Sequence, residues 1–156
     1  MFTRSAGYAV QALTYLAGQP SGKLTGAREI AKAVDIPVPF LWKILRNLSH
    51  KKLVRSFKGV RGGYELARAP EKITVSEILQ ASPDSDLVSA CVLGLAQCDD
   101  EQPCPLHASW KHLRIEIEDL VEHTTLADLA RPARGRRRQR PKPPSASRTQ
   151  TPREDS

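Results

Sequence analysis

Apolar residues recur at helical spacing through the first third of the chain, and then the period changes. Ala6, Val10, Leu13, Leu16 and Ala17 fall on one side of a helix predicted over 3–17, with Thr3 or Ser5 available as its cap, and Gly18, Pro20, Ser21 and Gly22 end it. A second helix is predicted over 25–34, with Ala27, Ile30, Ala31 and Val34 on one side and Arg28 and Lys32 on the other. After the turn Asp35-Ile36-Pro37, a third helix begins near Pro39, where proline is tolerated in a first turn. It should bury Phe40, Leu41, Ile44, Leu45 and Leu48 and expose Trp42, Lys43, Arg46, Asn47 and His50. From Leu53 the pattern becomes that of a hairpin: a strand from Leu53 to Phe57, a tight glycine turn from Lys58 to Gly63, and a returning strand from Tyr64 to Ala67.

Two short helices joined by a tight turn, the second bearing basic and amide side chains, are the pattern of a helix-turn-helix whose second helix enters the major groove. A plain helical hairpin with a solvated face is the lesser alternative for those two helices, and it does not account for the hairpin that follows. A hairpin placed there is a wing, and its glycine frame presents Lys58 and Arg61 to a phosphate backbone or a narrow minor groove. Beyond it, Thr74 to Gln80 reads as a short connecting helix, closed by Ala81-Ser82-Pro83, and 84–103 has weak periodicity. Leu106, Trp110, Leu113, Ile117 and Leu120 then follow at spacings of 4, 3, 4 and 3, a seam suited to helix pairing, in a helix ending near His123-Thr124. A short final turn runs from Leu126 to Leu129. From Arg131 the chain is rich in Pro, Arg and Ser, cannot bury a core and is expected to be a disordered basic tail.

Charge sharpens this division. Of the 156 residues, 1–70 hold 12 Lys+Arg against 3 Asp+Glu, 71–130 hold 3 against 12, and 131–156 hold 9 against 2, giving the overall +7. A basic front half suits a polyanion such as DNA, while the acidic rear half would be repelled by it and orient the approach. No apolar run approaches the roughly 18 residues of a membrane span and no secretory leader pattern is present, so a cytoplasmic protein is expected. No nucleophile-base arrangement, phosphate loop or paired-acid motif points to an enzyme, and no small-molecule substrate is expected.

The protein's three cysteines all lie in one segment, at Cys91, Cys98 and Cys104, and His107 follows in the spacing C-x6-C-x5-C-x2-H. Thiolates with an imidazole suit an iron-sulfur cluster or zinc. Free buried cysteines, a structural Cys3His zinc site and a thiol/disulfide switch are the alternatives; gaps of six and five residues are unlike zinc-finger pairs. His50, His112 and His123 have no partnered spacing and belong to surface or helix faces.

Ile30-Ala31, the run from Ile36 to Leu48, Lys-Gly-x-Arg-Gly-Gly-Tyr-x-Leu-Ala-Arg at 58–68 and Ile73-Thr74-Val75, followed by the three cysteines, resemble the bacterial Rrf-type regulators typified by IscR, NsrR and RirA. The resemblance covers residues 1–130. It implies a mainly α fold with a small β-wing: a winged helix-turn-helix domain at 1–70, a connecting helix and cysteine sensor loop at 71–105, a long dimerisation helix at 106–130, and an added tail at 131–156. It implies a homodimeric transcription factor on a double-stranded DNA operator, with contacts from Arg28, Trp42, Lys43, Arg46, Lys58 and Arg61, that senses iron-sulfur supply, nitric oxide or redox state. In IscR-like members the third cysteine is followed after two residues by a ligating histidine, which carries over to Cys104 and His107. NsrR-like members use an acidic residue near the start of the first helix, and here no carboxylate precedes Glu29. The resemblance therefore implies a cluster on Cys91, Cys98, Cys104 and His107, with 2Fe-2S favoured and 4Fe-4S open. Pro105 fits the first position of the long helix, which would put Cys104 at its N-terminus. Trp42 and Lys43 stand where IscR-like members carry Glu and Gln, so the target sequence does not carry over. Members without a cluster suggest the alternative, a winged-helix regulator working as a cysteine thiol switch.

Overall fold

The first helix is built for close approach. In the computed structural model, which describes residues 3–82, 93 and 100–131, α1 (Arg4–Ala17) opens at Thr3, whose hydroxyl accepts the Ala6 N–H at 3.2 Å. It buries Ala6, Ala9 and Ala12 beside Leu13 and Leu16. Three alanines in the contact stripe let other helices come in tightly, and helices from both halves of the described chain pack on α1. The helix-turn-helix follows as α2 (Ala27–Val34) and α3 (Val38–His50). Asp35 takes the left-handed conformation between them (φ 57°, ψ 48°), and Ile36, 4% exposed, turns its side chain into the core. Such a φ is uncommon outside glycine but best tolerated by Asp and Asn.

Two expectations change here. The second helix begins at Ala27 rather than at Thr25, because Thr25 is engaged in backbone pairing with the wing. Phe40 is 58% exposed rather than buried. Leu41, Ile44, Leu45 and Leu48 make a narrow apolar stripe, and Phe40, one residue before Leu41, lies about 100° round the helix from it.

The wing consists of β1 (Val54–Phe57) and β2 (Gly63–Leu66), antiparallel, with Val54 opposite Leu66 and Phe57 opposite Gly63; both strands sit within one residue of the predicted ones. Arg55 and Glu65 pair across it at 2.9 Å. An isolated two-stranded hairpin is marginal in water. This one is clasped to the body: Thr25 N–H donates to the Tyr64 carbonyl at 3.0 Å, and Tyr64 N–H donates to the Thr25 carbonyl at 2.9 Å. Gly63 permits the approach, since a Cβ there would stand 2.9 Å from the Thr25 carbonyl carbon and oxygen.

A 3-10 turn at Pro70–Lys72 leads to α4 (Val75–Gln80), opened by a capping box in which Thr74 and Glu77 satisfy each other's backbone N–H groups. The long helix α5 (His107–His123) returns to this point. Val75 N–H donates to the Thr124 carbonyl at 2.9 Å, and Leu126 N–H donates to the Ile73 carbonyl at 2.8 Å. The end of α5 is thereby sewn to the start of α4, and α6 (Leu126–Ala130) lies against α1 with Leu126 fully buried. Of the residues of α5 only Val121 is buried, in a small cluster with Ala6, Val75 and Leu79 against which Ile117 packs. Leu106, Leu113, Ile115 and Leu120 are exposed. No described helix is long and apolar enough to cross a membrane.

The clasp has a direct stability test. Gly63→Ala should cost about 1–3 kcal/mol by forcing β2 away from Thr25. Gly7→Ala, inside α1 with nothing within 4 Å of the new Cβ, should add up to about 1 kcal/mol. Urea denaturation should therefore move the two midpoints in opposite directions, and a Gly63→Ala midpoint equal to the parent's would show that the clasp is dispensable.

Candidate functional site

The exposed face of α3 has no carboxylate along its length. Trp42, Lys43, Arg46 and His50 are exposed on it and Asn47 is half-buried. The wing turn exposes Lys58 and Arg61; Gly59 there has φ 105°, a conformation natural to glycine, and a Cβ on Gly62 would stand 2.1 Å from the Phe57 carbonyl oxygen. A groove of about 300 Å3 lies between helix and wing, lined by Leu45, Arg46, Ser49, His50, Ser56 and Tyr64. Arg46 therefore borders the wing, whereas Arg28 stands on the exposed face of α2.

Some cations near this face are neutralised by carboxylates and others are not. Lys23 is paired with Glu29 at 3.1 Å, Arg55 with Glu65 at 2.9 Å and Arg68 with Glu77 at 2.8 Å. Among the described residues, Arg28, Lys43, Arg46, Lys58 and Arg61 have no such carboxylate partner. Unpaired guanidinium and ammonium groups on the two helices and the hairpin tip are suited to a phosphate backbone.

A second constellation sits where α5 begins. Cys104 is a free, half-buried thiol. His107 N–H donates to its carbonyl at 2.9 Å, closing a turn through Pro105 and Leu106. The helix opens at His107, with Leu106 as its cap residue, not at Pro105. Because that turn precedes the first helical hydrogen bond, Trp110 N–H to the Leu106 carbonyl at 2.8 Å, Cys104 lies before the helix instead of at its N-terminal position, and Leu106 caps the seam it was expected to join.

The His107 imidazole is largely enclosed, its side chain 11% exposed, and its Nε2 lies 2.7 Å from Asp100 Oδ1. An ionised carboxylate only accepts, so His107 donates from Nε2, and the neutral ring then keeps its lone pair on Nδ1. Lys111 Nζ donates to both Asp100 oxygens at 2.8 and 2.9 Å. The Lys111 hydrogen bond, followed by that of His107, holds the Asp100 carboxyl below its ordinary value. Asp100 was not singled out in the sequence, where it was one of several acidic residues near the cysteines; its position seven residues before His107 carries no periodic signal. Cys91 and Cys98 lie outside the described residues, as does the tail after Arg131; among the described residues no group of three or more ligating side chains forms. His112 pairs with Glu116 and His123 with Asp119 one turn away on α5, and His50 is exposed on α3, in keeping with helix-face roles.

The family model described as Rrf2, iron-dependent transcriptional regulator, matches residues 2–132. The chain belongs to the Rrf2 family. An Aquifex aeolicus relative named as an HTH-type transcriptional regulator is 38% identical over 131 residues, 83% of this chain and 90% of its own. The HTH-type transcriptional regulator NsrR of Halalkalibacterium halodurans is 32% identical over 123 residues, covering 78% and 84% of the two chains. Among solved structures, CymR (YrzC), the global cysteine regulator of B. subtilis, superposes with a TM-score of 0.70 at 25% identity over 83% of this chain and 95% of that one. T. potens IscR superposes with a TM-score of 0.65 at 26% identity over 83% and 85%. This Rrf2 protein is thus a transcriptional regulator with a DNA-binding winged-helix fold, and the Rrf2 family and its relatives are regulators rather than enzymes.

Asp100 supplies a pH test. With its pKa depressed, its contribution to holding the start of α5 is present above the ordinary value of 3.8 and is lost as pH falls through the lower value in the folded protein. Carboxyl 13C titration should place Asp100 below 3.8, and Lys111→Met should move it upward; an unchanged midpoint in that variant would show that Lys111 is not the principal cause.

Proposed function

We propose that this Rrf2 regulator is a homodimer whose binding to a roughly palindromic DNA operator is controlled by an iron-sulfur cluster on Cys91, Cys98, Cys104 and His107, 2Fe-2S in preference to 4Fe-4S. The observation that carries the reading is the state of the two described ligands: a free thiol at Cys104 and, three residues on, an imidazole oriented through Nε2 by Asp100. Metal-binding histidines commonly give their second ring nitrogen to a carboxylate, so the donor set fits the group. Bound there, a cluster would supply a centre that responds to iron-sulfur supply, nitric oxide or redox state. The iron-dependent description of the Rrf2 model and the likeness to NsrR and T. potens IscR support the same reading.

The chain's own residues provide a route from that site to DNA. The segment carrying Cys91 and Cys98 leaves from the end of α4 and ends at α5, and the two helices are joined by backbone at Thr124 and Val75. Ala6 at the start of α1 packs into the cluster that α4 and α5 share, and α1 in turn packs on α2 and α3. A shift of α5 against α4 therefore bears on the recognition helix. About 1.4 kcal/mol of difference between two such states changes operator affinity tenfold. The uncovered Leu106, Leu113 and Leu120, spaced by seven on one face, suit pairing with a second copy, which would set two recognition helices against two half-sites. Lys43 and Arg46 contact bases or phosphates, Trp42 adds apolar contact, Arg28 adds a phosphate contact, and Lys58 and Arg61 reach the minor groove.

A thiol switch is the second reading. It is favoured by the partly accessible Cys104 thiol. Protein purified without oxygen should show visible absorption with stoichiometric iron and sulfide, both lost in Cys98→Ala. Iron-free protein after reconstitution would reject the cluster and leave the thiol switch, or zinc if that metal were found. For the wing, Arg61→Ala should weaken operator binding and lower the slope of log affinity against log salt by about one. An unchanged affinity and slope would reject the wing contact.

A further inference from the structure

The first two turns of α3 present an unusual surface for reading DNA. Pro39, Phe40, Trp42 and Lys43 are exposed there, and the side-chain donors among them are the Trp42 indole N–H and the Lys43 ammonium. None of the four offers a side-chain acceptor. Helix starts are where base edges are met in this kind of docking, so adenine and cytosine amino groups have nothing there to donate to. What the helix does offer is aromatic surface, with Phe40 58% and Trp42 54% exposed.

The two rings flank Lys43 on either side of the outward face of the helix, about 160° apart. Trp42 lies one turn before Arg46, on the side that borders the wing groove. Phe40 shares the other side with Asn47, which lines the opposite crevice with Ser5, Ala81 and Ser82. Between them the outward face is cationic and free of carboxylates, so the surface that covers these rings is anionic as well as partly apolar. A protein partner does not combine those properties as closely as the major groove does, where phosphates line the rims and the C5-methyl of thymine projects from the floor.

We propose that Phe40 and Trp42 are specificity-determining residues that read the C5-methyl groups of thymines in the major groove, leaving guanine edges and phosphates to Lys43 and Arg46. The inference rests on the reading of α3 as the recognition helix and adds the chemical feature that it selects. Neither ring is part of the core, so replacing it leaves the fold intact.

Deoxyuridine provides the test, since it keeps every pairing and groove hydrogen-bonding group of thymidine and lacks only the methyl. Duplexes selected by the full-length protein from a random double-stranded library are resynthesised with deoxyuridine at single thymine positions, and binding is measured at fixed salt. A few positions should each lose about fourfold, the equivalent of about 0.8 kcal/mol for one buried carbon. Phe40→Ala and Trp42→Ala should each lower affinity for the thymine duplex and abolish the deoxyuridine penalty at its own positions only. Equal binding of thymine and deoxyuridine duplexes overturns the proposal while leaving DNA recognition by α3 in place. A penalty that persists in the Phe40→Ala/Trp42→Ala double variant overturns it too, because it then belongs to DNA shape. A library that yields no enriched duplex overturns the recognition-helix reading and the proposal together.

Discussion

The pair of backbone hydrogen bonds between Thr25 and Tyr64 holds the DNA-binding half of this molecule in one arrangement. A two-stranded wing has little stability of its own, and α2 is only eight residues long, below the length at which a helix stands alone in water. Joined at Thr25, each supports the other. The start of α2 is fixed by the wing, the wing root is fixed by the residue before α2, and α3 runs between them. The wing also follows α3 directly, with the Leu53 N–H donating to the Leu48 carbonyl at 2.9 Å, so the junction at Thr25 is a second tie between wing and recognition helix. That second tie depends on a missing side chain at Gly63, so a Cβ there would disturb how Lys58 and Arg61 stand relative to Lys43 and Arg46.

The other half is organised by a similar device. Ile73, Val75, Thr124 and Leu126 exchange backbone hydrogen bonds across two elements distant in sequence, and α6 carries the described chain back to α1. Most of α5 is left outside the core as a result: it is tied at its C-terminal end, packed at Val121 and Ile117, and open along Leu113, Ile115 and Leu120. On the proposed reading, a helix held at one end and carrying ligands at the other would act as a lever. Its anchorage to α4 and to Ala6 of α1 puts its C-terminal end against the helix on which the helix-turn-helix packs.

The helices and the wing were legible because their signals are local: apolar spacing, Asp35-Ile36-Pro37 as a turn, a glycine-framed hairpin, and Thr74 with Glu77 as a cap. What was not legible is tertiary. Thr25 looks like the first residue of a helix until Tyr64 is known to lie beside it. Phe40 is aromatic and adjacent to the buried stripe, and only the narrowness of that stripe puts it outside. Pro105 is well suited to opening a helix, yet the turn closed by the His107 N–H onto Cys104 delays the start to His107. Asp100 acquires its meaning from His107 and Lys111, seven and eleven residues away, through a folded turn that no periodicity encodes. Of the four expected ligands, Cys104 and His107 are described, and their identity was read from residue type and spacing rather than from geometry.

The division between paired and unpaired cations bears on how such a regulator finds its operator. Lys23, Arg55 and Arg68 are neutralised locally, so they contribute little field at a distance. On the proposed reading, the unpartnered cations on α2, α3 and the wing would make any stretch of duplex a weak ligand through counterion release. Most molecules would then begin their search already seated on chromosomal DNA, reading it by displacement along the helix, with the time spent at each step set by the ionic strength of the cell.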